Sequence, residues 1–390
     1  MAKFLALCAI GGEKILANEL KKLNFNDVAF STVGQVEFSG DDTSFYKSNL
    51  LLRTADRIFL RLGYFKALDF DELFEGVAKI NWQDFFRKNT YVVVDKVRCN
   101  KSRLHSEVSV QKIVHKAICD KLCRVWKVFS LSERGEPAKV RIYIDKNFVS
   151  VLLDLSGDPL YKRGYRSLSG EAPLRETVAA ALLQKMLYRR KTPLYDPFCG
   201  SGTIAIEALL YAHNVPPGIG RHFAFENLKI FNEADFEKVR EAAVGGISTN
   251  CRVRIYASDN NSEAVSTAKF HSKRACFVAE NALKSIGGEG KLSAINFFEK
   301  DFSAASPTDL PELDGDEGII LSNPPYGLRL SDEDGVKEIY EKIPGFLDNF
   351  PRWKAGFICA NPDFEEETGL EFSGIQPLKC GNLDSAFFFL

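Results

Sequence analysis

Short apolar runs and amphipathic stretches alternate along the chain, and the rhythm changes near residue 172. In the first part, "FLALCAI" reads as a strand and "GGEKILANELKKLN" as a helix opened by Gly11-Gly12 and ended by Asn24. "DVAFSTVGQVEFSG" reads as two further strands, and residues 47–62 as a helix passing into a strand. A second unit follows: a helical segment "DFDELFEGVAKINWQDFF", a strand "TYVVVDKVRC" and a long helix "SEVSVQKIVHKAICDKLCRVW". It closes with a hairpin, "KVRIYIDKNFVSVLLDLSG", turning at Asp145-Lys146-Asn147. Short strands, helices and a closing hairpin predict small α+β modules.

After the helix "APLRETVAAALLQKML" the apolar runs stand singly between helices: 192–198, 253–259, 295–301, 318–325 and 354–361. Such runs predict a mostly parallel, doubly wound α/β sheet with both faces covered. Gly381-Asn382 between two apolar runs predicts a terminal hairpin, antiparallel at one edge.

Length and charge add a division of labour. The 390 residues suit two or three domains, and the net charge is −1. Residues 81–170, however, hold 18 Lys and Arg against 9 Asp and Glu. A basic segment beside an acidic remainder fits either contact with a polyanion or an ordinary solvated surface. Nine scattered cysteines predict reduced thiols in a cytoplasmic protein, and Cys119 with Cys123 lacks partners for a metal site. The start reads as strand then helix, not as a leader, and no apolar run reaches membrane length.

Four predicted strand ends hold the chemistry. "DPFCGSGTIAIEALL" starts at a strand end with Asp196, passes Phe198, Gly200, Ser201 and Gly202, and enters a helix. Glycines let backbone approach a ligand closely, and a helix N-terminus presents free N–H groups. No Lys-Ser/Thr follows, which excludes a phosphate-cradling loop, and the third glycine of a dinucleotide fingerprint is missing. A carboxylate at this point suits a ligand with an ammonium and hydroxyls, as in S-adenosylmethionine. Asp259, with Asn260 after it, is placed to accept from ribose hydroxyls. Asp301 could accept from an adenine amine, with Phe302 packing on the ring. Acids after strands are also common turn and cap residues, so the weight rests on their occurring together.

The fourth end reads "ILSNPPYGLRL". Pro324 and Pro325 stop the ladder after Ser322. The Asn323 carboxamide oxygen and the Pro324 carbonyl are two acceptors for the two hydrogens of an exocyclic amine. Its nitrogen would then face an incoming methyl group, and Tyr326 would stack on the base. The same tetrapeptide serves guanine N2 and adenine N6.

These motifs, with "DPLYKRGYR", "PPGIGRHFAFENL" and "CGNLDSAFFFL", resemble the THUMP-domain class I methyltransferases. Within them the chain is similar to the bacterial 23S rRNA (guanine-N2)-methyltransferases. The resemblance implies three domains: a ferredoxin-like region (1–55), a THUMP RNA-binding domain (56–157) and a seven-stranded methyltransferase domain (158–390). It implies S-adenosylmethionine as donor and RNA, 23S ribosomal RNA, as partner, with no membrane and no metal. Asn323, Pro324 and Tyr326 take the amine role; Asp196, Gly200, Asp259 and Asp301 hold the cofactor; Thr177 approaches its carboxylate. Lys96, Arg98, Lys101 and Arg103, with Lys162, Arg163, Tyr165 and Arg166 of "YKRGYR", would meet RNA, although "YKRGYR" also reads as an interdomain linker. Some relatives carry a second methyltransferase domain; with Leu390 last, that activity is not expected here. Rival readings are a tRNA guanine-N2 enzyme, an adenine-N6 enzyme on DNA or RNA, and an RNA-binding protein with an inactive methyltransferase fold.

Overall fold

The computed structural model describes residues 1–166, 174–249, 251–313, 317–326, 333–379, 381 and 383–390. Two sheets organise it. The first takes strands β1 (Ala2–Leu7), β2 (Asn26–Phe30), β3 (Gln35–Gly40), β4 (Arg57–Lys66), β5 (Tyr91–Asn100), β6 (Pro137–Asp145) and β7 (Phe148–Asp154) in the order β2-β3-β1-β4-β7-β6-β5. The ferredoxin-like and THUMP modules expected from sequence thus share one continuous sheet, joined where β1 pairs with β4. The β6–β7 turn falls where the sequence puts it. Lys146 and Asn147 both have positive φ, the pattern of a two-residue hairpin whose twist matches its strands.

Helices α1 (Glu13–Lys22), α2 (Ser44–Leu51), α3 (Phe70–Ala78) and α4 (Glu107–Trp126) cover only one face of this sheet. Leu16, Tyr46, Leu73 and Val114 from the four helices meet Phe38, Ile58, Val151 and Ile142 from the strands in one core. Among the described residues the opposite face carries a small apolar group, Leu5, Phe59 and Leu152, with Leu7 and Tyr143 packed against it.

The second sheet comprises β8 (Leu194–Asp196), β9 (Ile255–Asp259), β10 (Asn296–Glu299), β11 (Ile319–Ser322), β12 (Lys354–Cys359), β13 (Gly374–Pro377) and β14 (Ala386–Phe389), ordered β10-β9-β8-β11-β12-β14-β13. Its helices are α5 (Glu176–Lys185), α6 (Thr203–Ala212), α7 (Glu233–Gly245), α8 (Ser262–Ser285), α9 (Glu333–Asp348) and α10 (Phe364–Thr368). The expected helix start near residue 172 and the hairpin residue Asn382 lie outside the described residues.

Strand side chains alternate between two cores, which is why these runs are apolar at every position. Leu194, Ile255 and Ile319 face α5, α6 and α8, while Tyr195, Tyr256 and Ile320 face α9. Only the pairings of β14, to β12 and to β13, are antiparallel. The order has one reversal of consequence: from β8 the chain winds outward through β9 to β10, then returns to place β11 on the other side of β8. The carboxyl ends of β8 and β11 therefore flank a crevice of the kind in which open α/β sheets bind ligands.

The sheets are joined by packing and by buried charge. Phe223, Phe225 and Phe236, from the segment between α6 and α7 and from α7 itself, enter the helix-side core of the first sheet. No described helix is long and apolar enough to cross a membrane.

Candidate active site

The glycine turn is fixed from both neighbouring strands. Asp196 ends β8, and its Oδ1 accepts from Ser322 Oγ at the end of β11. The Phe198 amide donates to that same serine oxygen at 3.1 Å. On the other side Cys199 N–H reaches the Ser258 carbonyl of β9 (2.9 Å), and Gly200 N–H reaches Asp259 Oδ2 (2.9 Å). Asp259 Oδ1 accepts from the Asn261 amide at 3.0 Å. Each Asp259 oxygen has thus received one backbone donor and retains acceptor capacity, since an ionised carboxylate offers about four lone-pair sites. Asn260 follows it, exposed.

Gly200 and Gly202 both have positive φ, 49° and 84°. A Cβ on Gly202 would strike Ala268 of α8 at 2.9 Å, so glycine there serves close helix packing. A Cβ on Gly200 would meet nothing within 4 Å: this glycine borders open space. It stands just before the first turn of α6, whose amide donors face the crevice end. Ser201 turns its carbonyl to His271 Nδ1 of α8 (3.2 Å). Phe198 and Phe302 pack with ring centroids 4.5 Å apart, forming an apolar wall beside Asp259. Open backbone, a ring wall and a carboxylate with spare acceptors fit an adenosyl ligand.

At β11, Asn323 and Tyr326 come together, the tyrosine hydroxyl donating to Asn323 Oδ1. Tyr340 of α9 donates to the Pro325 carbonyl and so braces the Pro-Pro turn from beneath. No described residue donates to the Pro324 carbonyl. Residues 327–330 lie outside the described residues.

Several expectations change. Asp196 is 1 % exposed, and burial pushes its carboxyl up to about 7 against the pull of the Ser322 and Phe198 hydrogen bonds. It fastens β8 to β11 and does not open to an ammonium. Asp301, by contrast, stays exposed two residues beyond β10; its Oδ1 caps a short 3-10 turn by accepting from Ser303 N and Oγ. Those bonds hold its carboxyl below the usual range. Thr177 is buried and donates to Asp56 Oδ1 (2.6 Å), which ties α5 to the first sheet and takes the residue out of direct cofactor contact.

The two basic segments also part. Arg98, Lys101 and Arg103 are exposed and Lys96 is half-buried. In "YKRGYR" Lys162 is the one exposed side chain bearing charge. Arg163 and Tyr165 are 5 % and 3 % exposed and both engage Glu207 of α6; Arg166 reaches Thr203 Oγ1 at the start of that helix. These three bind protein, not RNA. The Ser322 hydroxyl, the Tyr340 brace and the Arg166 contact were missed because each joins residues distant in sequence. The Ser322 position, the last residue before the Pro-Pro stop, was the one available signal.

Comparison with known proteins agrees with this architecture. Profiles of three domains match: the RlmL ferredoxin-like domain at 3–59, the THUMP domain at 67–154, and the RMKL-like methyltransferase domain at 163–286 and 297–376. YpsC of Bacillus subtilis (strain 168), provisionally named an RNA methyltransferase, is 35 % identical over 98 % of this chain and 94 % of its own length. The crystal structure of SMU.472, a provisionally assigned methyltransferase complexed with SAH, superposes over 100 % of this chain and 97 % of that one (TM-score 0.85, 30 % identity). A Listeria monocytogenes protein, provisionally called an N6-adenine-specific DNA methylase, covers 100 % and 95 % (TM-score 0.86, 31 % identity). Fold, crevice and sequence agree: the chain belongs to the THUMP-containing, RMKL-like family of class I methyltransferases.

Proposed function

We propose that this protein transfers a methyl group from S-adenosylmethionine to the exocyclic N2 amine of a guanosine in 23S ribosomal RNA. The observation that carries the reading is the meeting, across the β8–β11 crevice, of the Gly200 turn with the Asn323-Pro324-Pro325-Tyr326 turn. When bound, S-adenosylmethionine supplies an electrophilic methyl on a sulfonium. Asp259 accepts from the ribose hydroxyls with the capacity its two backbone donors leave, and Phe198 and Phe302 flank the adenine. Asn323 Oδ1, oriented by the Tyr326 hydroxyl, keeps one lone pair for the target amine, and the Pro324 carbonyl takes its second hydrogen. Both acceptors would stabilise the positive charge that develops on nitrogen as the carbon–sulfur bond breaks. The surplus amine proton would pass to water afterwards, so no strong base is needed before transfer. Tyr326 stacks on the base once it leaves its helix or loop.

RNA as substrate is supported by the THUMP match and by the name of YpsC. The Listeria protein's name favours a second reading, adenine N6 of DNA, because the same turn can hold either amine. The division at residues 55 and 157 and a cytoplasmic location belong to the same proposal; the eight described cysteines are free thiols.

Purified protein with labelled S-adenosylmethionine should label unmodified large-subunit RNA, and nucleoside mass spectrometry should find N2-methylguanosine. Asn323→Ala should lower the rate by about 100-fold or more with SAH affinity unchanged by calorimetry. An unaltered rate would dispose of the amine grip, and N6-methyladenine in DNA would favour the second reading. Asp259→Ala should instead weaken SAH binding.

A further inference from the structure

The Asn-Pro-Pro-Tyr turn is hard to hold in place. A strand end is ordinarily tied to its surroundings through backbone N–H groups, but Pro324 and Pro325 have none. Asn323 Oδ1 and the Pro324 carbonyl must also keep room for an amine if they are to accept from it. The segment can therefore be fixed only at its margins. On the near side Ser322 ends β11; its hydroxyl donates to Asp196 and accepts from the Phe198 amide. On the far side, among the described residues, the Pro325 carbonyl has one donor, the Tyr340 hydroxyl, at 2.5 Å.

That hydroxyl is itself held. Tyr340 is fully buried in the core beneath the turn. The Phe364 ring of α10 meets it edge-on, with centroids 4.8 Å apart and planes at 85°. The Tyr340 oxygen lies 3.2 Å from Cys359 Sγ at the end of β12, and the Asn361 amide donates to that sulfur at 3.4 Å. Burial pushes both the phenol and the thiol up, so each keeps its proton. One set of proton directions satisfies the whole chain: Asn361 N–H to sulfur, S–H to the Tyr340 oxygen, O–H to the Pro325 carbonyl. Cys359 belongs to the strand beside β11, where Phe357 pairs with Ser322, so the chain of bonds ties the turn to its neighbour strand. Pro344 stands inside α9, four residues after Tyr340 and without an N–H to give the Tyr340 carbonyl. A helix interior rarely keeps a proline, and this one falls where α9 delivers the hydroxyl.

We infer that Tyr340 is a positioning residue for methyl transfer. By holding the Pro325 carbonyl it turns the Pro324 carbonyl and Asn323 Oδ1 toward the amine, and Cys359 keeps the phenol in line. The inference rests on the amine-methylating reading of this turn, for guanine N2 or adenine N6 alike. Buried as it is, Tyr340 cannot reach the substrate and acts through the turn alone. Two acceptors must converge on the two hydrogens of one planar amine, and a misplacement of about 1 Å can cost a hundredfold in rate. A side chain that only filled the core would be served as well by phenylalanine.

The test is single-turnover methylation of unmodified large-subunit RNA by the full chain with saturating S-adenosylmethionine. Tyr340→Phe keeps the ring and its packing on Phe364 and removes the hydroxyl. It should slow the single-turnover rate about 10- to 100-fold, with KM for RNA and SAH affinity within about twofold of wild type. Cys359→Ala should slow the same step by a smaller factor, and Cys359→Ser, which again offers the Tyr340 oxygen a donor, should recover part of that loss. A wild-type rate for Tyr340→Phe, or a loss that falls equally on SAH affinity and KM, overturns the positioning role while the methyltransferase reading stands. If wild type methylates no amine of RNA or DNA, that reading falls first and takes the role of Tyr340 with it.

Discussion

Residues 96–103 and 161–166 are alike in composition, each mixing Lys and Arg with polar or aromatic residues, yet the fold puts them to opposite uses. The first segment leaves the end of β5 for a surface loop, and Arg98 pairs with Glu107 while both remain largely exposed. The second runs between the two sheets. There Arg163 donates to the Leu160 and Arg53 carbonyls and pairs with Glu207, while Arg53 donates to the Val215 carbonyl. Glu19 accepts from the Arg53 amide and from Thr54. Charge in a loop is a solvated resource. Charge in a junction is a joint, whose members cannot be removed singly without stranding the others.

That contrast can be broken by substitution. Arg163→Ala should have the largest effect, a loss of about 3–5 kcal/mol, because it leaves Glu207 buried without its cation. Chemical denaturation checks this, and a loss under 1 kcal/mol would mean the junction is not a joint. Tyr165→Phe removes one hydrogen bond to Glu207 and should cost about 1–2 kcal/mol in the same assay.

A pH series sharpens the comparison further. Burial pushes Glu176, paired with Arg166, up to about 7, and Asp196 likewise. The folded state therefore binds protons that the unfolded state has released, from the ordinary carboxylate range up to about pH 7. Stability should be fullest at the acid end of that window, fall as pH rises through 7, and then level. Glu176→Gln should flatten part of that fall; an unchanged profile would assign it to Asp196 or elsewhere. The smallest effect belongs to the loop: Lys101→Ala should alter stability by no more than about 0.5 kcal/mol.

What could be read from the sequence follows the same line between local and distant. The period of the apolar runs placed the strands of both sheets, and the Asp145–Asn147 turn fell where two residues with positive φ now stand. The glycine turn and the Asn-Pro-Pro-Tyr turn were legible because each is a short segment with its own chemistry. Their adjacency was legible only through the winding rule of doubly wound sheets. Asp196 was misjudged because exposure is decided by neighbours, here Ser322, which lies 126 residues away. Asp301 keeps its exposed place two residues beyond β10, where Oδ1 accepts from Ser303. Arg163 and Tyr165 had no local mark of burial at all; their partners Glu207, on α6, and for Arg163 the Arg53 carbonyl lie far along the chain.

The joint also bears on how such a chain could be divided or inherited. A gene severed before Arg163 would yield a catalytic half whose Arg163, with the Arg53 carbonyl gone, opens to water, and a front half whose Arg53 guanidinium loses the Val215 carbonyl. Neither half would be a finished protein. Recombination that exchanges the front end for another would have to bring a matching set of ions with it, so the two halves are expected to travel through descent as a pair.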